Sequence, residues 1–254
     1  MAISKNHIKF IRQLEQKKFR RREGLFVAEG TKVVGDLLAH YQPHAVFATD
    51  DWQAPEGISV QRVTDDELRR LSFLQHPQQV LGIFNIPDST SSAAFAMQSQ
   101  SNKGICNSLS ILLDNVQDPG NLGTIIRIAD WFGIDTIYCS SDTVDAWNPK
   151  VVQATMGSIA RVDIVYTDLP ALLDTLPTDY PVYGTLLDGE NIYNQQLSSE
   201  GLIVMGNEGN GISEAVRQRV NRRLLIPDFH QGETADSLNV AIATAITCSE
   251  FRRR

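Results

Sequence analysis

Three stretches of this 254-residue chain join a turn-forming segment to side chains that bind anions or hold a ligand by its backbone. In the first, Leu113 to Arg127, Asp118-Pro119-Gly120 is a turn signal and Asn121 is placed to cap the helix that follows. Arg127 stands nearly two turns into that helix among Ile125, Ile126 and Ile128, where a plain surface charge explains it poorly. In the second, Gly206-Asn207-Glu208-Gly209-Asn210-Gly211 follows the apolar run Leu202 to Met205. Three glycines in six residues bring backbone N–H groups close to a ligand, more than a simple tight turn requires. In the third, Ile226-Pro227 precedes a polar loop and then Ser237-Leu238-Asn239, where Ser237 and Asn239 on their own read as helix caps. Asp228, His230 and Glu233 share that loop, but their spacing matches no established metal-binding pattern.

Each stretch follows a short apolar run, which places it at the carboxyl end of a strand, where open parallel sheets bind ligands. Runs at 109–113, 134–138, 182–185, 202–205 and 224–226 lack strict alternation and are predicted as buried parallel strands. Helices are predicted between them at 122–131, 150–156, 169–176 and 213–220, with a last one at 235–251. Asn148-Pro149 supplies a cap and a first-turn proline for the second of these. The earlier half alternates α and β: a basic helix over 4–19 capped by Ser4, strands at 25–28, 45–49 and 80–86, and a helix at 31–39. A short helix through Leu71 opens on a Thr64 to Glu67 capping box. Polar low-complexity sequence between them predicts three parts: a small α/β domain at 1–88, a flexible linker at 89–108 and an α/β domain at 109–254.

Composition is that of a folded globular protein, with 42% hydrophobic and 21% charged residues. No apolar run approaches the ~20 residues of a membrane-spanning helix, and the charged N-terminus lacks the pattern of a secretory signal. Cys106, Cys139 and Cys248 are odd in number and widely spaced, as expected of free thiols in the cytoplasm rather than a disulfide framework or zinc site. The net charge of −7 hides a strong asymmetry: residues 1–22 carry eight lysines and arginines against the single acid Glu15. Lys17, Lys18, Arg20, Arg21 and Arg22 form the densest part of that patch, suited to a phosphate backbone, although on charge alone a solvated helix face is the better account.

Taken together and in this order, the three stretches resemble the motifs of the SpoU (TrmH) family of the SPOUT methyltransferase superfamily. The resemblance covers residues 109–254, and Lys18 to Gly30 is more loosely similar to the small substrate-binding domain of many members. It implies a parallel-sheet domain with a deep trefoil knot, a small N-terminal substrate-binding domain and a homodimer whose two subunits build each active site. It also implies methylation of an RNA ribose 2′-hydroxyl with S-adenosylmethionine as donor. By motif, Asn121, Arg127, Glu208, Ser237 and Asn239 match catalytic or positioning residues. Thr185, Leu186, Gly206, Asn207, Gly209, Ile226 and Leu238 match the cofactor site. The loop between Pro227 and Ser237 is longer than is usual in the family. Ribosomal RNA is the favoured target, with transfer RNA and a non-catalytic RNA-binding role as alternatives. A nicotinamide-dependent oxidoreductase is disfavoured because the glycines do not follow the G-x-G-x-x-G order.

Overall fold

The structure, a computed structural model, describes residues 3–87, 108–230 and 235–253. The expected linker at 89–108, apart from its last residue, lies outside the described residues, as do Cys106 and residues 231–234 of the long loop. The chain forms two compact units. Met1–Pro87 and Asp145–Arg161 make the first; Asp88–Val144 and Val162–Arg254 make the second. The segment 145–161, expected within the C-terminal domain, thus packs with the first unit.

In the first unit the elements are α1 (Lys5–Gln13), α2 (Lys17–Glu23), β1 (Leu25–Glu29), α3 (Thr31–Leu38), β2 (Pro43–Ala48), β3 (Gln61–Arg62), α4 (Asp65–Leu71) and β4 (Val80–Asn85). The sheet runs β1-β4-β2-β3, with β4 antiparallel to both β1 and β2 and β3 parallel to β2. β1 is buried along its whole length because both faces are covered. Leu25 and Val27 join Ile11, Leu14 and Leu71 in one apolar cluster. From the other face, Phe26 stacks on Phe84 and meets Trp147 at 4.7 Å between ring centroids.

Local signals behaved as physics requires where they were self-contained. Ser4 caps α1 by accepting from His7 N, and Thr64 and Glu67 form the full capping box of α4. The basic helix, however, is broken at 14–16 and restarts after the extended Gln16. Arg20 explains the break. Its Nη1 donates to the carbonyls of Leu14 and Glu15, 2.8 and 2.7 Å away, in place of the N–H groups of an uninterrupted helix.

The segment 145–161 contributes α6 (Pro149–Ala154), capped by Asn148 with Pro149 in the first turn as predicted. It is held at both ends. Asp145 pairs with Arg20, and Arg161 pairs with Asp36 of α3, which also accepts from Lys32. Between them, Met156 and Gly157 both take positive φ, and a Cβ on Gly157 would collide with the Asp36 carboxylate.

The second unit comprises β5 (Leu109–Leu113), α5 (Pro119–Trp131), β6 (Thr136–Cys139), β7 (Asp163–Tyr166), α7 (Leu169–Asp174), β8 (Val182–Asn191), β9 (Gly201–Met205), α8 (Glu214–Arg217), β10 (Arg222–Leu225) and α9 (Val240–Arg252). Its strands are all parallel, in the order β10-β8-β9-β5-β6-β7. β5 and β9 lie inside and are wholly buried, as their unbroken apolar runs demand. Leu112, Leu202 and Val204 pack with Leu169 of α7 and Val216 of α8, while Tyr183 meets the Phe251 ring of α9 edge-on at 4.8 Å. β7 was not expected: Asp163-Ile164-Val165-Tyr166 is an edge strand exposed at both ends and buried only at Val165, too short and polar to stand out. α9 begins at Val240, not 235, because Asn239 rather than an earlier residue caps it.

Candidate active site

The three loops of interest leave the carboxyl ends of β5, β9 and β10. In the first, the helix cap is Asp118, whose Oδ1 accepts from Asn121 N at 2.8 Å. This corrects the expectation that Asn121 caps α5. It leaves the Asn121 side chain free of capping and pointing elsewhere. Asn239 does cap its own helix: its Oδ1 accepts from Ala241 N and Ile242 N at 3.0 and 3.3 Å.

Those caps set the polarity of a hydrogen-bonded relay. With Oδ1 of Asn239 engaged by backbone N–H groups, its Nδ2 is the end that meets Asn121, donating to Oδ1 at 2.9 Å. Asn121 must then present its own Nδ2 onward, and it donates to Glu208 Oε1 at 2.6 Å. One amide therefore ties together loops 87 and 118 residues away and fixes one oxygen of an exposed carboxylate. A charge-assisted bond of this kind holds a carboxylate in direction as well as in place.

The Gly206 loop is built to present Glu208. Asn207 and Gly211 bond reciprocally through their backbones at 3.0 and 2.9 Å, closing a tight loop. Inside it, Asn207 Oδ1 accepts from Gly209 N and Asn210 N, while its Nδ2 donates to Asn115 O. Asn207 is thus committed to loop structure through its side chain. Gly206 is required because a Cβ would collide with the backbone of Gly211 and Ile212, and Gly211 itself has φ +69°. Asp114, buried at the end of β5, accepts from Ser213 N at 2.7 Å and anchors the start of α8.

Not every expected site residue joins this cluster. Arg127 lies six residues beyond Asn121 on α5, about 120° round the helix, so the two side chains leave different faces. It is exposed and makes no ion pair among the described residues. Trp131, one turn further along the same face, is 85% exposed. Ser237 is exposed just before the Asn239 cap.

Around the carboxyl ends, Ile226 and Leu186 are half-buried, and Leu238 and Ile242 are 49% and 52% exposed. Thr185 donates through Oγ1 to Val204 O, which fixes the start of a bulge. There β8 pairs Gly184 with Arg223 and next Glu190 with Leu224, so residues 185–189 arch out of the ladder. Gly189 at the foot of the arch lies so close to Leu224 that a Cβ would overlap its backbone. Sequence reasoning missed this crossing, although a glycine inside a strand was its one visible signal.

One expected RNA contact is excluded by its surroundings. Arg20 is only 2% exposed, and its guanidinium is used by Asp145, Leu14 and Glu15. It braces α2 from within. Lys17, Lys18, Arg21 and Arg22 remain exposed on the outer side of that helix.

A sequence model of the SpoU rRNA Methylase family matches residues 108–249, more than half of the chain. The chain belongs to the SpoU rRNA methylase family. Residues 5–82 match the MRM3-like substrate binding domain. A curated relative is the 23S rRNA (guanosine(2553)-2′-O)-methyltransferase RlmP of Bacillus subtilis, 31% identical over 96% of this chain and 95% of its own. Among solved structures, a putative RNA methyltransferase of the TrmH family from Porphyromonas gingivalis is 38% identical, with a TM-score of 0.85 over 100% of this chain and 99% of its own. An AdoMet-bound rRNA methyltransferase from Sinorhizobium meliloti is 29% identical, with a TM-score of 0.82 over 100% and 96%. For this SpoU family member, the Asn121–Glu208–Asn239 relay joins the three loops singled out from its sequence.

Proposed function

We propose that the protein methylates a ribose 2′-hydroxyl of ribosomal RNA with S-adenosylmethionine as methyl donor. Family membership and the rRNA 2′-O-methyltransferase among its relatives support the reaction class. The observation that carries the site is the relay through Asn121, because it unites the three loops in one constellation at the carboxyl end of the sheet.

The residues present suit that donor. Leu186, Ile226 and Leu238 offer apolar surface for an adenine and a methionyl chain, and backbone at Gly206 and Gly209 offers polar contacts beside them. Thr185 and Asn207 hold the flanking backbone in shape. When bound, the donor supplies an electrophilic methyl group on a sulfonium centre. The chain has then to position a weak nucleophile in line and steady the charge that grows on its oxygen. Arg127 meets the second need as a permanent cation able to hold the adjacent phosphate and the developing alkoxide. Glu208, fixed through Oε1 by Asn121, directs its other oxygen toward that arginine or the hydroxyl. Ser237, beside the relay, orients the same hydroxyl.

The working form is a homodimer, with Arg127 of one protomer serving the site of the other. Its separation from Asn121 on α5 and the exposed Trp131 on its own face support this assignment, because an indole left in water beside a catalytic cation fits a subunit interface. The bulge at 185–189 and the Gly189–Leu224 crossing support a trefoil knot in this part of the fold. Lys17, Lys18, Arg21 and Arg22 bind the RNA backbone.

Calorimetric titration with S-adenosylmethionine, followed by mapping of 2′-O-methyl marks in ribosomal RNA from cells lacking the protein, tests the proposal. Saturable binding and one missing mark are expected. Absence of binding both with and without RNA would overturn it.

A further inference from the structure

The outer side of α2 carries more than charge. Phe19 sits among its cations, half-buried and outside the apolar cluster around Ile11 and Leu14. Lys18 Nζ lies 4.9 Å and the Arg22 guanidinium 4.8 Å from the centroid of its ring. Lys17 and Arg21, two positions before and after it, are exposed on the other flank of the helix, and Arg20 faces inward.

Binding a duplex through its phosphates would need only the cations. An aromatic ring set between them matches the other mode of nucleic-acid contact, in which the backbone follows a basic track and an unpaired base stacks on a ring. We propose that the outer face of α2 docks an unpaired stretch of RNA, with one base stacked on Phe19, Lys18 and Arg22 on the phosphates that flank it, and Lys17 and Arg21, across the helix, on phosphates further along the strand. This rests on the reading of RNA as substrate.

The energetics favour the exchange. Stacking one base on an aromatic side chain is worth roughly five- to a hundredfold in affinity. Each of the two exposed cation–π contacts is worth about two- to fivefold, about four- to twenty-fivefold together, and the surface pair of Arg22 with Glu23 is worth about as little as one of them. A base therefore displaces the Lys18 and Arg22 side chains from the ring, and both are long enough to turn to the phosphates on either side. In the free protein they shield the ring from water.

The test is fluorescence anisotropy of the full chain with a labelled single-stranded RNA of about 12 nucleotides and with the same strand annealed to its complement. Phe19→Leu keeps apolar bulk but removes the ring face; Phe19→Tyr restores it. Phe19→Leu is expected to weaken single-strand binding about tenfold while duplex affinity, salt dependence and melting temperature stay as in the wild type. Phe19→Tyr should bind like the wild type, and Lys18→Gln should lower the salt slope by about one. Unchanged single-strand affinity in Phe19→Leu would overturn the proposal. So would equal loss on both probes, or failure of Phe19→Tyr to retain binding. Tighter binding to polyglutamate than to either RNA would replace it with an acidic protein partner. RNA binding that ignores Phe19 removes this inference alone, whereas S-adenosylmethionine binding with no RNA affinity removes the RNA reading beneath it.

Discussion

Asn121 Nδ2 donates to Glu208 Oε1 at 2.6 Å while its Oδ1 accepts from Asn239, so a single amide sets the direction of a carboxylate it meets across 87 residues of chain. Replacing that amide by a carboxylate keeps the shape and reverses one end of the relay. Asn121→Asp can still accept from Asn239 but faces Glu208 with like charge. Methyl transfer in single turnover is expected to fall by about 100-fold, the scale for losing one preorganised donor, with little change in S-adenosylmethionine affinity. A wild-type rate would remove Asn121 from the working site.

Arg127 has no ion pair to lose among the described residues. Arg127→Ala should therefore change stability by less than about 0.5 kcal/mol while abolishing methyl transfer. Urea unfolding alongside the activity assay separates the two effects, and retained activity would strike the arginine from the mechanism.

Arg20 and Arg21 are neighbours with opposite fates. Arg20→Ala leaves Asp145 unpaired and two carbonyls without their donor, and should destabilise the first unit by about 3–5 kcal/mol. Arg21→Ala should cost less than about 0.5 kcal/mol and appear instead as weaker RNA binding. Equal urea midpoints for the two variants would contradict the burial of Arg20.

Glu29 is buried at the end of β1, accepting from Ser72 Oγ and Phe73 N. Burial pushes its carboxyl above the ordinary glutamate range, outweighing those two bonds and the nearby Arg12 charge. A raised folded pKa favours the protonated form, so the stability linked to this group is full at acid pH and is lost as pH climbs through the raised value. Glu29→Gln cannot ionise. Its stability relative to the wild type should improve as pH rises from about 4.5 toward neutrality, measured by urea unfolding at several pH values. A difference that is flat or falls with pH would show that Glu29 does not carry a raised pKa.

Gly206 and Gly35 make a contrasting pair. A Cβ on Gly206 strikes the Gly211–Ile212 backbone, so Gly206→Ala should open the loop and abolish saturable S-adenosylmethionine binding by calorimetry. Gly35 lies within α3 with open space where its Cβ would be, and Gly35→Ala should stabilise the protein by about 0.5–1 kcal/mol.

What could be read from sequence follows the distance over which each signal acts. The Thr64–Glu67 box and the Asn148-Pro149 helix start are complete within four residues, and both formed as expected. The wholly buried β5 and β9 announced themselves through unbroken apolar runs. Arg20 looked like its neighbours because its partner, Asp145, is 125 residues away, and the break in the basic helix follows from its other bonds, to the carbonyls of Leu14 and Glu15. At the site, the choice of loops was legible, but the bonds between them were not. Turn chemistry alone offered Asn121 as a cap, and only the resemblance put it in the site; that its amide links the loops follows from Asp118 taking the cap instead.

The segment 145–161 leaves the second unit after β6 and returns to it at β7, having lent Trp147 and α6 to the first unit. The family's sequence model runs straight through it. The two halves are consequently not interchangeable cassettes. A chimaera that took its first 88 residues from a relative would lose the Phe26 and Arg20 against which Trp147 and Asp145 pack. Exchanging the first unit between members of such a fold therefore calls for two replacements made together, one at the start of the gene and a second, easily overlooked, in its middle.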